Sequence, residues 1–298
     1  MPILTLIAAD TAESGIVSEA ADRLQMADCL PGPVTWLAQG RAVDIAFDGD
    51  MARARTAMSD LEDRFDIVVQ TGSNRRKMLL VSDMDSTMIT VECIDELADY
   101  AGIKPEIAAI TERAMAGELD FAEALKARVA LLAGLDENVI ETCLRERVRP
   151  MAGAEVLVRT MTGWGAHAVL VSGGFTSFTG PVAAMLGFAE VHANVLAILD
   201  GKVTGALLGD IVDANVKRDV LTSAADFRGI DLNATLAVGD GANDLPMIKA
   251  AVSGYGLGVG YHPRPQLAAA ANFAVRHNDL TSLLFAQGVR PEHWASQP

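Results

Sequence analysis

The sequence predicts an α/β protein: a doubly wound parallel sheet, a helical cap inserted after its first strand, and a split βαβ (α+β) unit ahead of it. Three observations carry this. Apolar runs at 78–81, 168–171 and 236–238 each end abruptly in acids, serine or glycine, as buried parallel strands do when they deliver polar groups to their carboxyl ends. Between the first two runs, residues from about 93 to 150 carry only helical spacing. Residues 1 to about 74 run strand, helix, two strands, helix, strand, the split βαβ order.

With 298 residues, the chain exceeds the usual single-domain size, so a small domain at 1–74 and a larger one at 75–298 are expected. The formal charge of −15 argues against a protein that tracks a nucleic-acid backbone, which needs a basic face. The same acidity repels phosphorylated ligands at long range, so local cations or a metal must offset it wherever a phosphate sits. Three widely spaced cysteines, Cys29, Cys93 and Cys143, fit a reducing compartment and read as small buried hydrophobes. No apolar run approaches the ~20 residues of a membrane helix, and the N-terminus lacks the basic start of a signal peptide. No membrane partner and a cytoplasmic location are expected.

In the N-terminal unit, 3–9 is strand-like and 13–26 is helical, with Ile16, Ala20 and Leu24 on one face. Segments 34–37 and 43–47 suggest two strands, 53–63 a helix and 66–69 a strand. The polar stretch 71–76 reads as a linker. Element order alone makes this unit similar to the small amino-acid-sensing domains fused to metabolic enzymes.

The run 78–82 then delivers Asp83 and Asp85 to its tip. Alternation sends both acids to one side, where a pair can divide the roles of nucleophile and proton donor. Glu92 follows nine residues after Asp83. In the cap, Ile94, Leu97, Ala98 and Ala101 mark one helix, and Ile107, Ile110 and Ala114 a second. The third carries the stripe Phe121, Leu125, Val129 and Leu132, with Arg128 on the apolar face. An arginine there either snorkels at the helix edge or points at a bound anion.

The second strand ends in Ser172-Gly173-Gly174, a hydroxyl with backbone N–H groups open to close approach, as a phosphate cradle requires. Serine and glycine are also ordinary turn residues, so the position carries the reading. Asp200-Gly201 marks a two-residue hairpin. Lys217 opens a helix against the dipole, which suggests placement for another purpose. The third strand runs into Gly239-Asp240-Gly241-Ala242-Asn243-Asp244, where two acids four apart in a glycine-rich loop suit a hard cation. The glycines between 254 and 260 precede Pro263 and Pro265, so they read as a close-packed edge strand and not as a dinucleotide loop. The five histidines show no metal spacing.

In this order the three strand tips, with Lys217 between the second and third, resemble the haloacid dehalogenase-like hydrolase superfamily, and within it the phosphoserine phosphatase family. The resemblance covers about residues 77–276. It implies Mg²⁺-dependent hydrolysis of a small phosphorylated amino acid, O-phospho-L-serine in serine biosynthesis, through an aspartyl-phosphate on Asp83, with Asp85 as acid–base and Lys217 on the phosphate. It further implies Mg²⁺ on Asp83, Asp240 and the Asp85 carbonyl, with Asp244 and Asn243 in support. Glu92 and Arg128 would hold the substrate's amino and carboxylate groups, Met115 and Phe121 would shield the pocket, and Ser172, Gly173, Lys217 and Asn243 would contact the substrate. Another phosphatase or phosphotransferase acting on a different small ester stays open, as do a regulatory amino-acid-binding protein and a homodimer.

Overall fold

The computed structural model describes residues 1–12, 15–115 and 118–296, the side chain of Met115 excepted. The N-terminal unit comprises β1 (Pro2–Ala8), α1 (Gly15–Met26), β2 (Leu30–Ala38), β3 (Ala42–Asp48), α2 (Met51–Ala57) and β4 (Phe65–Thr71). Its strands lie in the order β2-β3-β1-β4, with every pairing antiparallel. In α1, Ile16, Ala20 and Leu24 face the core at the expected spacing. Glu13, where the sequence starts this helix, lies outside the described residues. Asp50 caps α2 by accepting from the Ala52 and Arg53 N–H groups. The helix ends at Ala57, earlier than expected, and Ser59 Oγ donates back to the Thr56 carbonyl, a local bond that competes with helix continuation.

The larger unit begins with β5 (Leu79–Ser82), followed by the cap helices α3 (Cys93–Ala101), α4 (Lys104–Met115), α5 (Phe121–Leu131) and α6 (Asn138–Glu146). The chain then forms α7 (Ala154–Gly163), β6 (His167–Phe175), α8 (Thr176–Leu186) and the hairpin β7 (Glu190–Leu199) and β8 (Lys202–Leu208). It continues through α9 (Ala214–Arg228), β9 (Thr235–Gly239), α10 (Leu245–Ser253), β10 (Leu257–Tyr261), α11 (Pro265–Ala268), β11 (Phe273–Val275) and α12 (Ser282–Ala286). Strands β11-β10-β9-β5-β6-β7 are parallel, and β8 closes that end antiparallel. Leu80, Leu170 and Leu236 join the core on one face, while Leu79, Val81, Val169, Val171 and Ala237 pack on the other. Helices on both faces explain why these strands read as unbroken apolar runs.

Two expectations are corrected here. Strand β10 lies between β9 and β11 and is not an edge. Its glycines serve helix packing: a Cβ on Gly258 would sit 2.6 Å from a Val252 methyl and 2.9 Å from the Ile248 carbonyl oxygen of α10. The stretch 71–76 is likewise no free tether. Arg75 is largely buried, donating to Asp44 at 2.6 Å and to the carbonyls of Phe285 and Ala286.

Strand β11 pairs antiparallel with β4 through Phe273 and Val68, so one sheet of eleven strands crosses both units. Buried Asp66 fastens the seam by accepting from the backbone N–H groups of Arg276, His277 and Asn278. The cap is hinged where Thr90 N donates to Arg149 O and Met151 N to Met88 O. Its far end is pinned to β8, with Gly134 N donating to Val203 O and Val203 N to Leu135 O. Among the described residues, no helix is long and apolar enough to cross a membrane.

Candidate active site

A cleft of about 380 Å³ opens between the strand tips and the cap. Three adjacent parallel strands, β6, β5 and β9, end at its floor, so residues distant in sequence converge. Asp83 and Asp85 both line it, with Ser172, Gly173, Asp240 and Asn243 from the neighbouring tips and Glu92, Phe121 and Arg128 from the cap.

Lys217, only 1% exposed, reaches in from the first turn of α9. Its Nζ lies 2.6 Å from Asp83 Oδ1 and 2.7 Å from Asp244 Oδ1. Burial alone would lower the ammonium pKa, but the two carboxylates reverse this and raise it, so the lysine stays charged. Asp83 is raised well above the carboxylate range by burial and then by Asp244, against the pull of Lys217. Asp244 also accepts from the N–H groups of Asp240 and Gly241, which fixes the loop. Gly239 makes room for it, since a Cβ there would fall 2.3 Å from Asp244 Cγ.

Asp85 is held separately. Its Oδ1 accepts from the Cys93 N–H at 2.8 Å, at the start of cap helix α3, and its Oδ2 from Ser172 Oγ at 3.1 Å. Burial raises its pKa, while these bonds from Cys93 and Ser172 oppose the rise. Ser172 Oγ in turn accepts from Gly174 N. The register of β6 against β7 shifts between Val171 and Phe175, so Ser172, Gly173 and Gly174 leave the ladder there. Cys93 lines the cleft through a buried thiol whose pKa is pushed up, chiefly by burial, which makes it a poor nucleophile.

Oxygens of Asp83, Asp240 and Asp244 can approach within 4.8 Å of one another. Carboxylate oxygens suit Mg²⁺; Asp244 already accepts from Lys217 and from the Asp240 and Gly241 N–H groups, which leaves Asp83 and Asp240 as the freer donors. Burial and Asp244 raise Asp240 to about 6, against Lys217 and Arg264. Crowding of like charge is the feature that a dication relieves.

The cap side is less tied down. Ser86 has left-handed backbone, φ 56°, and its Oγ donates to Glu92 Oε1 at 2.7 Å. Burial and then Asp85 raise Glu92 to about 7. Among the described residues, Arg128 uses only Nε, toward the Ala124 carbonyl at 3.4 Å. The Phe121 ring covers Gly173, where a Cβ would meet Cζ at 3.0 Å. Met115 ends α4, and its side chain lies outside the described residues. Two charged lining residues escaped the sequence reading. Arg264 follows β10, its N–H donating to the Asp240 carbonyl, and taking β10 as an edge strand hid it. Asp95, in the first turn of α3, looks like any acid at a helix start.

Comparison with known proteins fits this geometry. The haloacid dehalogenase-like hydrolase pattern matches residues 80–249, more than half of the chain. A phosphoserine phosphatase of Streptomyces coelicolor is 44% identical over 226 residues, 76% of this chain, which spans only about half (54%) of that relative. A phosphoserine phosphatase of Vibrio cholerae is 40% identical over 80% of this chain and 71% of its own. The crystal structure of a probable phosphoserine phosphatase from Vibrio cholerae superposes with a TM-score of 0.75 at 32% identity, covering 96% of this chain and 86% of that one. With a sheet, cap and clustered acids of this kind, the chain belongs to the haloacid dehalogenase-like hydrolases, within the phosphoserine phosphatase family.

Proposed function

We infer that the protein hydrolyses O-phospho-L-serine to L-serine and phosphate through an aspartyl-phosphate on Asp83. The observation that carries this is the division of the two acids. Asp83 lies against an ammonium at 2.6 Å, whereas Asp85 is tethered by Cys93 N–H and Ser172 Oγ. One carboxylate is thus placed to attack and the other to carry a proton.

In the first step an Asp83 carboxylate oxygen attacks phosphorus in line, and the bond from phosphorus to the seryl oxygen breaks. Asp85 gives that oxygen its proton, releasing serine. In the second step Asp85 takes a proton from water, whose oxygen attacks the acyl phosphate; the phosphorus–Asp83 bond breaks and phosphate leaves. Lys217 and the 172–174 backbone neutralise the equatorial oxygens, the main demand of phosphoryl transfer. Asp83, Asp240 and the Asp85 carbonyl would hold Mg²⁺, which supplies further charge neutralisation of the phosphoryl group. Glu92 takes the substrate ammonium, Arg128 its carboxylate, and Asn243 a phosphate oxygen. Phe121 closes the pocket to water.

We assign 1–74 to an amino-acid-sensing-like unit and 75–298 to the phosphatase, with the cap at about 93–150. Turnover of a panel of phosphate esters, with Mg²⁺ and with chelator, tests the reading. Phosphoserine as the preferred substrate, only with Mg²⁺, is the expected result; preference for a phosphate lacking the amino acid group would overturn it.

A further inference from the structure

The cap half of the cleft holds a charge that the reaction above does not use. Glu92 is the N-cap of helix α3, with extended backbone, and Asp95 stands three residues on, in the first turn. Both line the cleft together with Arg128, which feels the charge of each. Among the described residues, the Asp95 carboxylate makes no side-chain hydrogen bond or ion pair, and it does not reach back to cap its own helix. The Arg128 terminal nitrogens are equally free, with only Nε engaged, at Ala124.

We propose that Asp95 is a specificity-determining residue, a second anionic wall beside Glu92 that makes the amino acid end of the cleft require a substrate bearing an α-ammonium. Two acids share that end with one guanidinium, an acidic excess. An incoming carboxylate alone deepens the excess, whereas a zwitterion brings an ammonium to the acids and a carboxylate to the arginine. Charge balance therefore favours an amino acid ester over the hydroxy acid ester of the same shape, and penalising the wrong partner is an efficient route to discrimination. The charge on Arg128 responds to the same group: burial lowers its pKa, and Asp95, ahead of Glu92, opposes the fall. A plain first-turn acid would instead act on the helix dipole and treat all substrates alike.

The proposal rests on the phosphoserine reading, and its test separates the two. Wild type, Asp95→Asn and Asp95→Glu are compared for kcat/KM on O-phosphoserine and on O-phospholactate, which lacks the ammonium, with thermal unfolding as the fold control. The preference of wild type for phosphoserine should fall about tenfold in Asp95→Asn, a size fitting one partly screened charge, and be largely kept in Asp95→Glu. Equal losses on both esters, or a drop in unfolding temperature with an unchanged preference, would overturn the role of Asp95. A wild-type enzyme with no preference for phosphoserine would defeat the substrate reading, and this proposal with it.

Discussion

The two halves of the cleft are built in opposite ways. On the sheet side Asp83, Asp85, Lys217 and Asp244 already have partners: Lys217 holds Asp83 and Asp244, Ser172 holds Asp85, and Asp244 holds its own loop. On the cap side, among the described residues, Arg128 and Asp95 have none for their charged ends, and Glu92 has one, Ser86. Groups that stabilise a transition state work best when fixed beforehand, because no reorganisation is then needed during reaction. Recognition groups left open are completed by the substrate itself. On the proposed reading, the sheet side carries the chemistry and the cap side the choice of substrate.

The largest expected effect breaks the sheet half. Asp83→Asn turns the proposed nucleophilic carboxylate into an amide, which cannot form the acyl phosphate, so kcat should fall by more than about a hundredfold, with no phosphoenzyme trapped in acid. Activity above a hundredth of wild type would put the nucleophile elsewhere. Asp85→Asn should split the two steps, because p-nitrophenyl phosphate has a leaving group that needs no proton. Rapid-quench measurements should find phosphoenzyme forming from it and decaying slowly, by about 10²–10⁴-fold; equal slowing of both steps on both esters would remove the acid–base role.

A smaller effect probes what keeps the sheet half rigid. Arg75→Ala strands the buried carboxylate of Asp44 at the seam between the units, which should cost about 3 kcal/mol in denaturant unfolding. A loss under about 0.5 kcal/mol would make the seam a surface contact. Smaller still is the response of Lys77, at the other end of β5. It is buried like Lys217, but among the described residues its Nζ bonds only the Asn233 carbonyl, and burial lowers its pKa to about 8. Because its folded pKa is depressed, burying the charge costs stability below about pH 8, and the cost fades as pH rises toward the unfolded value. Lys77→Met should therefore gain in unfolding temperature over wild type at pH 7, with the gain shrinking by pH 10. A constant difference would contradict the shift.

The sheet half was the legible half, for a physical reason. Asp83, Ser172 and Asp240 each interrupt an apolar strand, and such interruptions stand out in a sequence. Lys217 showed as a cation misplaced in a first turn, and Arg128 as one on an apolar stripe. Asp95 broke no pattern, since acids belong at helix starts. Arg264 could have been found by treating the end of β10 as a fourth strand tip, but its glycines suggested an edge. The continuous sheet was illegible because its seam is a pairing between residues 68 and 273, with no local signal.

The division of labour is tested most directly by Arg128→Ala, assayed on O-phosphoserine and on phosphoethanolamine, which keeps the ammonium and lacks the carboxylate. The account expects the ratio of kcat/KM between the two esters to fall about ten- to a hundredfold, the worth of roughly 1.5–3 kcal/mol for a charge-assisted hydrogen bond. The same loss on both would mean that Arg128 serves the phosphate or the packing of the cap, and would contradict a cap half devoted to choosing the substrate.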